Sequence, residues 1–82
     1  LEAQRKENRA AESALRSQLA NLRADAKNAE LDYLSTKVKL DAEQKLVDQG
    51  IVSRITVEQS RLAVEQHRQR ITSERERVAR ME

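Results

Sequence analysis

Gly50 is the one place where this chain can end a helix cheaply. It is the only glycine among 82 residues, and there is no proline. Glycine enters the left-handed backbone region that closes a helix at little steric cost. With Gly50 just past the helix end, Leu46 stands in the last turn and Ile51 follows the glycine, the two positions whose apolar contact accompanies a Schellman ending. Ser53 then offers a side-chain oxygen to start a second helix. A second possible start is Thr56, which with Gln59 makes a capping-box pattern. Ile55, Thr56 and Val57 are β-branched but show no alternation that would make them a strand. The spacing therefore predicts helix, turn, helix.

Composition narrows the class. Charged residues make up 37% of the chain and aromatic residues 1%, so no thick core can form. A chain rich in Ala, Glu, Lys, Arg and Leu reads as a coiled coil or long helix. The net charge is only +2, and its signs are interspersed. The second half carries seven Arg against five acids, too small an excess for a nucleic-acid face. Cysteine is absent, which suits either redox compartment. No apolar run is long enough to span a bilayer, and no signal-peptide pattern is present, so no direct membrane insertion is expected. The chain opens without Met and stops in mid-pattern at Glu82, which reads as a segment of a longer protein.

From Leu15 a heptad stripe begins: Leu15, Leu19, Leu22, Ala26, Ala29, Tyr33, Thr36, Leu40, Glu43 and Val47. Its steps alternate four and three, the seam of a coiled coil. Leu31, Leu34, Val38, Ala42 and Leu46 form a second stripe beside it. That stripe either widens the seam or faces a body beyond the hairpin. After the turn, Val57, Val64, Ile71 and Val78 recur every seven residues, with Ser60, His67, Glu74 and Met81 between them. The expected fold is all-α: a long antiparallel two-helix coiled-coil hairpin turning at about residues 49–53, with helix 1 over about 2–49, the tip at 50–52 and helix 2 over about 53–82.

Folding the stripes about Gly50 pairs positions whose numbers sum to about 100. Glu43 then meets Val57, Leu40 meets Ser60, Thr36 meets Val64 and Tyr33 meets His67. Ala29 meets Ile71, Ala26 meets Glu74, Leu22 meets Val78 and Leu19 meets Met81. Glu43 and Glu74 are expected to bend out to solvent. Residues 1 to about 17 find no partner in this register, and are expected to pair with chain beyond Glu82, to fray, or to pair with another copy.

Nothing in the sequence assembles catalytic chemistry. His67 is the sole histidine and has no second nitrogen or sulfur ligand for a metal. Opposite Tyr33 it reads as a seam layer, with a Tyr–His hydrogen bond within reach. Glu43 and Glu74 lie too far apart along the rod to act as an acid/base pair. No glycine-rich loop cradles phosphate. Arg75, Arg77 and Arg80 alternate with acids and read as a solvated, ion-paired face. No catalytic, cofactor or metal site is expected. The tip differs: Leu46, Val47, Ile51, Val52 and Ile55 cluster where two helices alone cannot bury them all, which marks a partner site or an aggregation hazard; Leu46 and Ile51 are expected to staple the turn and the others to help dock a partner.

The segment Lys45 to Arg61, KLVDQGIVSRITVEQSR, resembles the hairpin tip of HlyD-type membrane fusion proteins, also called periplasmic adaptor proteins. The family's tip motif is Arg, three residues, Leu, six residues, Ser. Leu46 and Ser53 match its last two positions, while Ala42 stands where the family carries arginine. Lys45 and Arg54 bring positive charge from other places. The resemblance implies a periplasmic protein anchored to the inner membrane. It implies partners too: an inner-membrane transporter, reached through domains outside this chain, and a TolC-like outer-membrane channel. It also implies a homo-oligomer working in efflux or type I secretion, with no cofactor and no nucleic acid. Leu46, Gly50, Ile51, Val52, Ser53 and Arg54 would form the channel-docking tip. The competing reading is a structural coiled-coil dimerisation module of a filamentous or signalling protein, without tip function. A nucleic-acid-binding helix pair is a further alternative, opposed by the interleaved acids of helix 2.

Overall fold

In the computed structural model, which describes residues 1–82, the chain forms two helices, α1 (Glu2–Asp48) and α2 (Arg54–Met81). They run antiparallel in a rod measuring 73 × 15 × 13 Å. α1 has 47 residues, which at 1.5 Å per residue gives about 70 Å and so sets the length of the whole molecule. α2 has 28 residues and covers only the part of α1 nearest the turn. This is an all-α helical hairpin with no strand.

The turn follows from backbone chemistry. Gln49 caps α1 with φ −89° and ψ −1°, and Gly50 steps to φ +76°. The Ile51 N–H reaches back to the Leu46 carbonyl at 2.8 Å, and the Gly50 N–H to the Val47 carbonyl at 2.9 Å. These are the two nested bonds of a Schellman ending, and they satisfy carbonyls that the last helical turn leaves open. α2 begins at Ser53 and not at Thr56. Ser53 is extended, and its Oγ accepts from the Thr56 N–H at 3.3 Å. The N-cap therefore lies three residues past the glycine, and the connection is only five residues long.

The interior is one layer thick. Ala29, Val57, Ser60 and Val64 are the four buried residues, and no large side chain is fully enclosed. Leu19, Leu22, Ala26, Tyr33, Thr36 and Leu40 on α1 are half-buried, as are His67, Ile71, Val78 and Met81 on α2. Leu15 stays exposed, as does every residue before Leu19.

The contacts across the seam depart from the expected pairing. Ser60 Oγ donates to Glu43 Oε2, where Leu40 was expected. Arg70 binds Asp32 at 3.0 Å, Arg75 binds Glu30 at 3.0 Å, and Arg23 binds Glu82 at 2.6 Å. The numbers in these pairs sum to between 102 and 105. Gly50 is not the pivot, because the loop runs on to Ser53 and its midpoint falls past the glycine. Side chains that lean toward the N-terminus of their own helix shift the contacts further in the same direction.

Candidate functional site

The tip is held from both sides. Leu46 is half-buried, and its carbonyl anchors the turn through Ile51. Ser53 uses its hydroxyl to cap α2, with Thr56 Oγ1 a further 3.1 Å partner. Its side chain faces solvent but its oxygen is engaged. Val52 is half-buried, while Gly50 and Arg54 are exposed. Ile51 and Ile55 stand out, 64% and 71% exposed. Two large β-branched side chains at the end of a two-helix rod have no layer left to enter, and they form an apolar crown.

Charge at the tip is mixed. Lys45 lies in the last turn of α1, where a cation suits the helix dipole. α2 has no acid in its first turn and opens with Arg54, a cation at the positive end of its own helix. Beside the crown, Val38, Asp41, Ala42, Lys45, Leu46 and Gln49 line a shallow groove along α1. Ala42 is one of the residues that line it.

Leu31, Leu34 and Val38 of the second stripe on α1 lie outside the seam, while Leu46 at its tip end is half-buried. Leu31, Leu34 and Val38 are 52–69% exposed. Counted from the seam positions Ala29, Thr36 and Leu40, they fall on the far side of α1. Ile55 and Leu62 occupy the corresponding outer side of α2, and both are exposed. The hairpin thus carries apolar strips on both outer sides near the tip.

Glu43 and Glu74 do not bend out. Both side chains are 13% exposed. Ser60 and Lys39 satisfy Glu43, with Lys39 Nζ at 3.8 Å. Arg77 reaches one oxygen of Glu74 at 3.6 Å, and the other, Oε2, is buried without a partner. Too few large residues compete for those layers, so the carboxylates stay where the heptad puts them. Tyr33 and His67 both lie on the seam, but no hydrogen bond joins them.

One pattern escaped the sequence reading. Arg54, Arg61, Arg68 and Arg75 recur every seven residues and form an edge of α2. Arg61 pairs with Glu58 at 4.0 Å, Arg68 with Glu65 at 3.3 Å, and Arg75 with Glu30. The period is present in the sequence, but it lies one position off a polar seam row (Ser60, His67 and Glu74 precede Arg61, Arg68 and Arg75), so the apolar pattern does not display it. These exposed pairs each contribute about 0–1 kcal/mol, so the edge serves solubility and register more than stability.

No helix is long and apolar enough to cross a membrane. No group of three or more His, Cys, Asp or Glu side chains converges as metal ligands would. Compared with known proteins, the chain matches no family model, no curated protein and no solved structure.

Proposed function

We propose that this chain is the docking hairpin of an HlyD-type periplasmic adaptor, a rod whose tip meets the helical ends of a TolC-like outer-membrane channel. The observation that carries this reading is the apolar crown of Ile51 and Ile55 on a turn fixed by two backbone bonds and a serine cap. A rigid tip loses little entropy on docking, and exposed apolar side chains at its end suit a groove between partner helices. The spacing of Leu46 and Ser53 matches the adaptor tip motif, and here both residues shape the turn. Ile51, Val52 and Ile55 would supply the contact, with Lys45 and Arg54 as the nearest cations. The outer strip of Leu31, Leu34 and Val38 would face neighbouring copies in the adaptor ring. The role is mechanical and not enzymatic. The inner-membrane transporter would be engaged by other domains of the full protein, in the periplasm.

The test is export by the full-length protein. Ile51→Asp combined with Ile55→Asp should abolish export and photo-crosslinking from the tip to the channel, while circular dichroism of the isolated hairpin is unchanged. Ser53→Asp, which keeps an N-cap acceptor, should preserve helicity; Ser53→Arg should abolish export. A purely structural coiled coil predicts unimpaired export with the doubly charged tip, and that outcome would reject the docking role.

A further inference from the structure

The outer strip of α1 faces away from α2 and lies in the middle of the helix. It runs Ala24, Lys27, Leu31, Leu34, Val38 and Asp41, in steps of three and four, so α1 carries a second coiled-coil stripe on its far side. All six residues are exposed, the large apolar ones by 52–69%. Lys27 and Asp41 take part in no ion pair of the hairpin, and neither does Lys37 beside them. Lys37 is poorly placed. The edge contacts of Arg23 with Glu82 and Glu30 with Arg75, continued one heptad toward the tip, set Lys37 against Arg68, a like charge. The strip also has a symmetry. Read forward from Lys27 its order is Lys, Leu, Leu, Val, Asp. An identical strip laid against it in the opposite direction would set lysine on aspartate, leucine on valine and Leu34 on Leu34.

We infer that the outer strip of α1 pairs antiparallel with the same strip of a second copy, about a two-fold axis at Leu34. The seam pairs are Leu34 with Leu34, Leu31 with Val38 and Lys27 with Asp41 of the second copy, the unlike pairs each occurring twice by symmetry. The hairpin's own contacts set the edge. Asp32 and Arg70 directly precede the seam residues Tyr33 and Ile71, and their numbers total one less than those of the seam pair Glu43 and Ser60. Glu30 and Lys37 directly precede the strip residues Leu31 and Val38, and their numbers total one less than those of Lys27 and Asp41. Glu30 of one copy therefore meets Lys37 of the other, again twice. Glu30 gives its Oε1 to Arg75 and keeps Oε2 for the lysine. Each Lys37 thus gains the acid that its own hairpin lacks, and four ion pairs flank the apolar centre. On the other edge Asn28, Ser35 and Ala42 are exposed and short, so the helices can approach closely. Slipping the pair by one heptad sets Glu30 on Glu30 or Lys37 on Lys37. Parallel pairing sets Lys27 on Lys27 and Asp41 on Asp41. One register in one orientation is therefore favoured. The paired span lies within α1, and each tip reaches only to about residue 18 of the other copy. This inference does not rest on the adaptor reading. A ring whose tips all meet one channel holds its hairpins parallel, so the antiparallel pair is a state outside the ring that covers an apolar strip otherwise open to water.

The strip from Ala24 to Asp41 is about 27 Å long, with three large apolar side chains from each copy. An interface that small is weak, with half-association expected between about 10 µM and 1 mM. Sedimentation equilibrium of the 82-residue chain across that range should show a monomer–dimer equilibrium. Leu34 lies about 50 Å from Leu1 along α1, so small-angle scattering should show the maximum dimension growing from the 73 Å of one hairpin to about 100 Å. Lys27→Asp should weaken association at least about tenfold, as should Asp41→Lys, since each puts like charges together in two places. The double variant Lys27→Asp/Asp41→Lys should return to within about threefold of the parent, because the pair is restored in reverse. Leu34→Asp should abolish association. Circular dichroism on each variant separates lost pairing from lost helix. A chain that stays monomeric to about 1 mM overturns the inference. So does a double variant no better than the singles, and so does a dimer no longer than one hairpin, which would be a parallel pair. Association kept in Leu34→Asp but lost in Ile51→Asp would place the interface at the tip and overturn it too. Vesicles of anionic lipid that bind the parent but not Leu34→Asp, with the chain monomeric in solution, would assign the strip to a membrane surface instead. None of these outcomes bears on export by the full-length protein, which tests the tip separately.

Discussion

Gly50 contributes through its backbone alone. A Cβ built there meets nothing within 4 Å, so a side chain would collide with no neighbour. Its φ of +76° is the difficulty, because an L-residue pays about 1–2 kcal/mol to hold that region. Gly50→Ala should therefore destabilise the hairpin by about 1–2 kcal/mol, and Gly50→Asn by less, since asparagine tolerates the left-handed region. Urea denaturation of the three proteins checks the order. An alanine variant as stable as the parent would mean that the turn is not limiting. Ser53 depends on its side chain instead, through the bond to the Thr56 amide. The two positions were legible in the sequence for the same reason: each performs a task that few residue types can perform. Glu43 and Glu74 were read wrongly, because a charged residue on a seam gives no sign of whether solvent or a neighbour will claim it. That depended on Ser60 and Arg77, and so on a register that no single position encodes.

The helices were the most legible part of the chain. α1 has its inward positions spaced by alternating fours and threes, and Leu19 through Leu40 all lie against α2 or half-shielded by it. The pairing between the helices was harder to read. A heptad repeat matches itself after every shift of seven, and loop length settles the choice. Counting from Gly50 ignored the three residues that carry the chain to Ser53, and the observed contacts moved accordingly. The second stripe of α1 was ambiguous, since a periodic apolar set is the same whether it faces a mate or solvent. In the observed register Glu74 falls beside Ala29, as Glu43 falls beside Ser60. Ala29 is fully buried, and Glu74 Oε2 lies buried with no partner. Leaving a buried acceptor unmade costs about 1–3 kcal/mol, and the small alanine leaves room for a branched side chain. Glu74→Leu should raise stability by about 1–2 kcal/mol, read as a higher urea midpoint. A lower midpoint would show that the carboxylate is better solvated than its position indicates.

A rod only two helices thick distributes its stability unevenly. Each layer touches only the layers above and below, so local opening is limited by nearby burial and not by a shared core. Of the four buried residues Ala29 lies on α1 and Val57, Ser60 and Val64 on α2, and in the register set by Ser60 and Glu43 the last three face the part of α1 between Leu40 and Val47. At the other end, α1 from Glu2 to Gln18 is helical but exposed on every side. An isolated helix of that length is marginal in water, and its one ion pair, Glu12 with Arg16 at 3.9 Å, adds about 0.2–0.5 kcal/mol. Amide hydrogen exchange in dilute solution should follow this division. Protection between Tyr33 and Leu40, and between Ser60 and Val64, should exceed that before Leu15 by at least about a hundredfold. Uniform protection along α1 would show that the helix is stabilised by something other than α2.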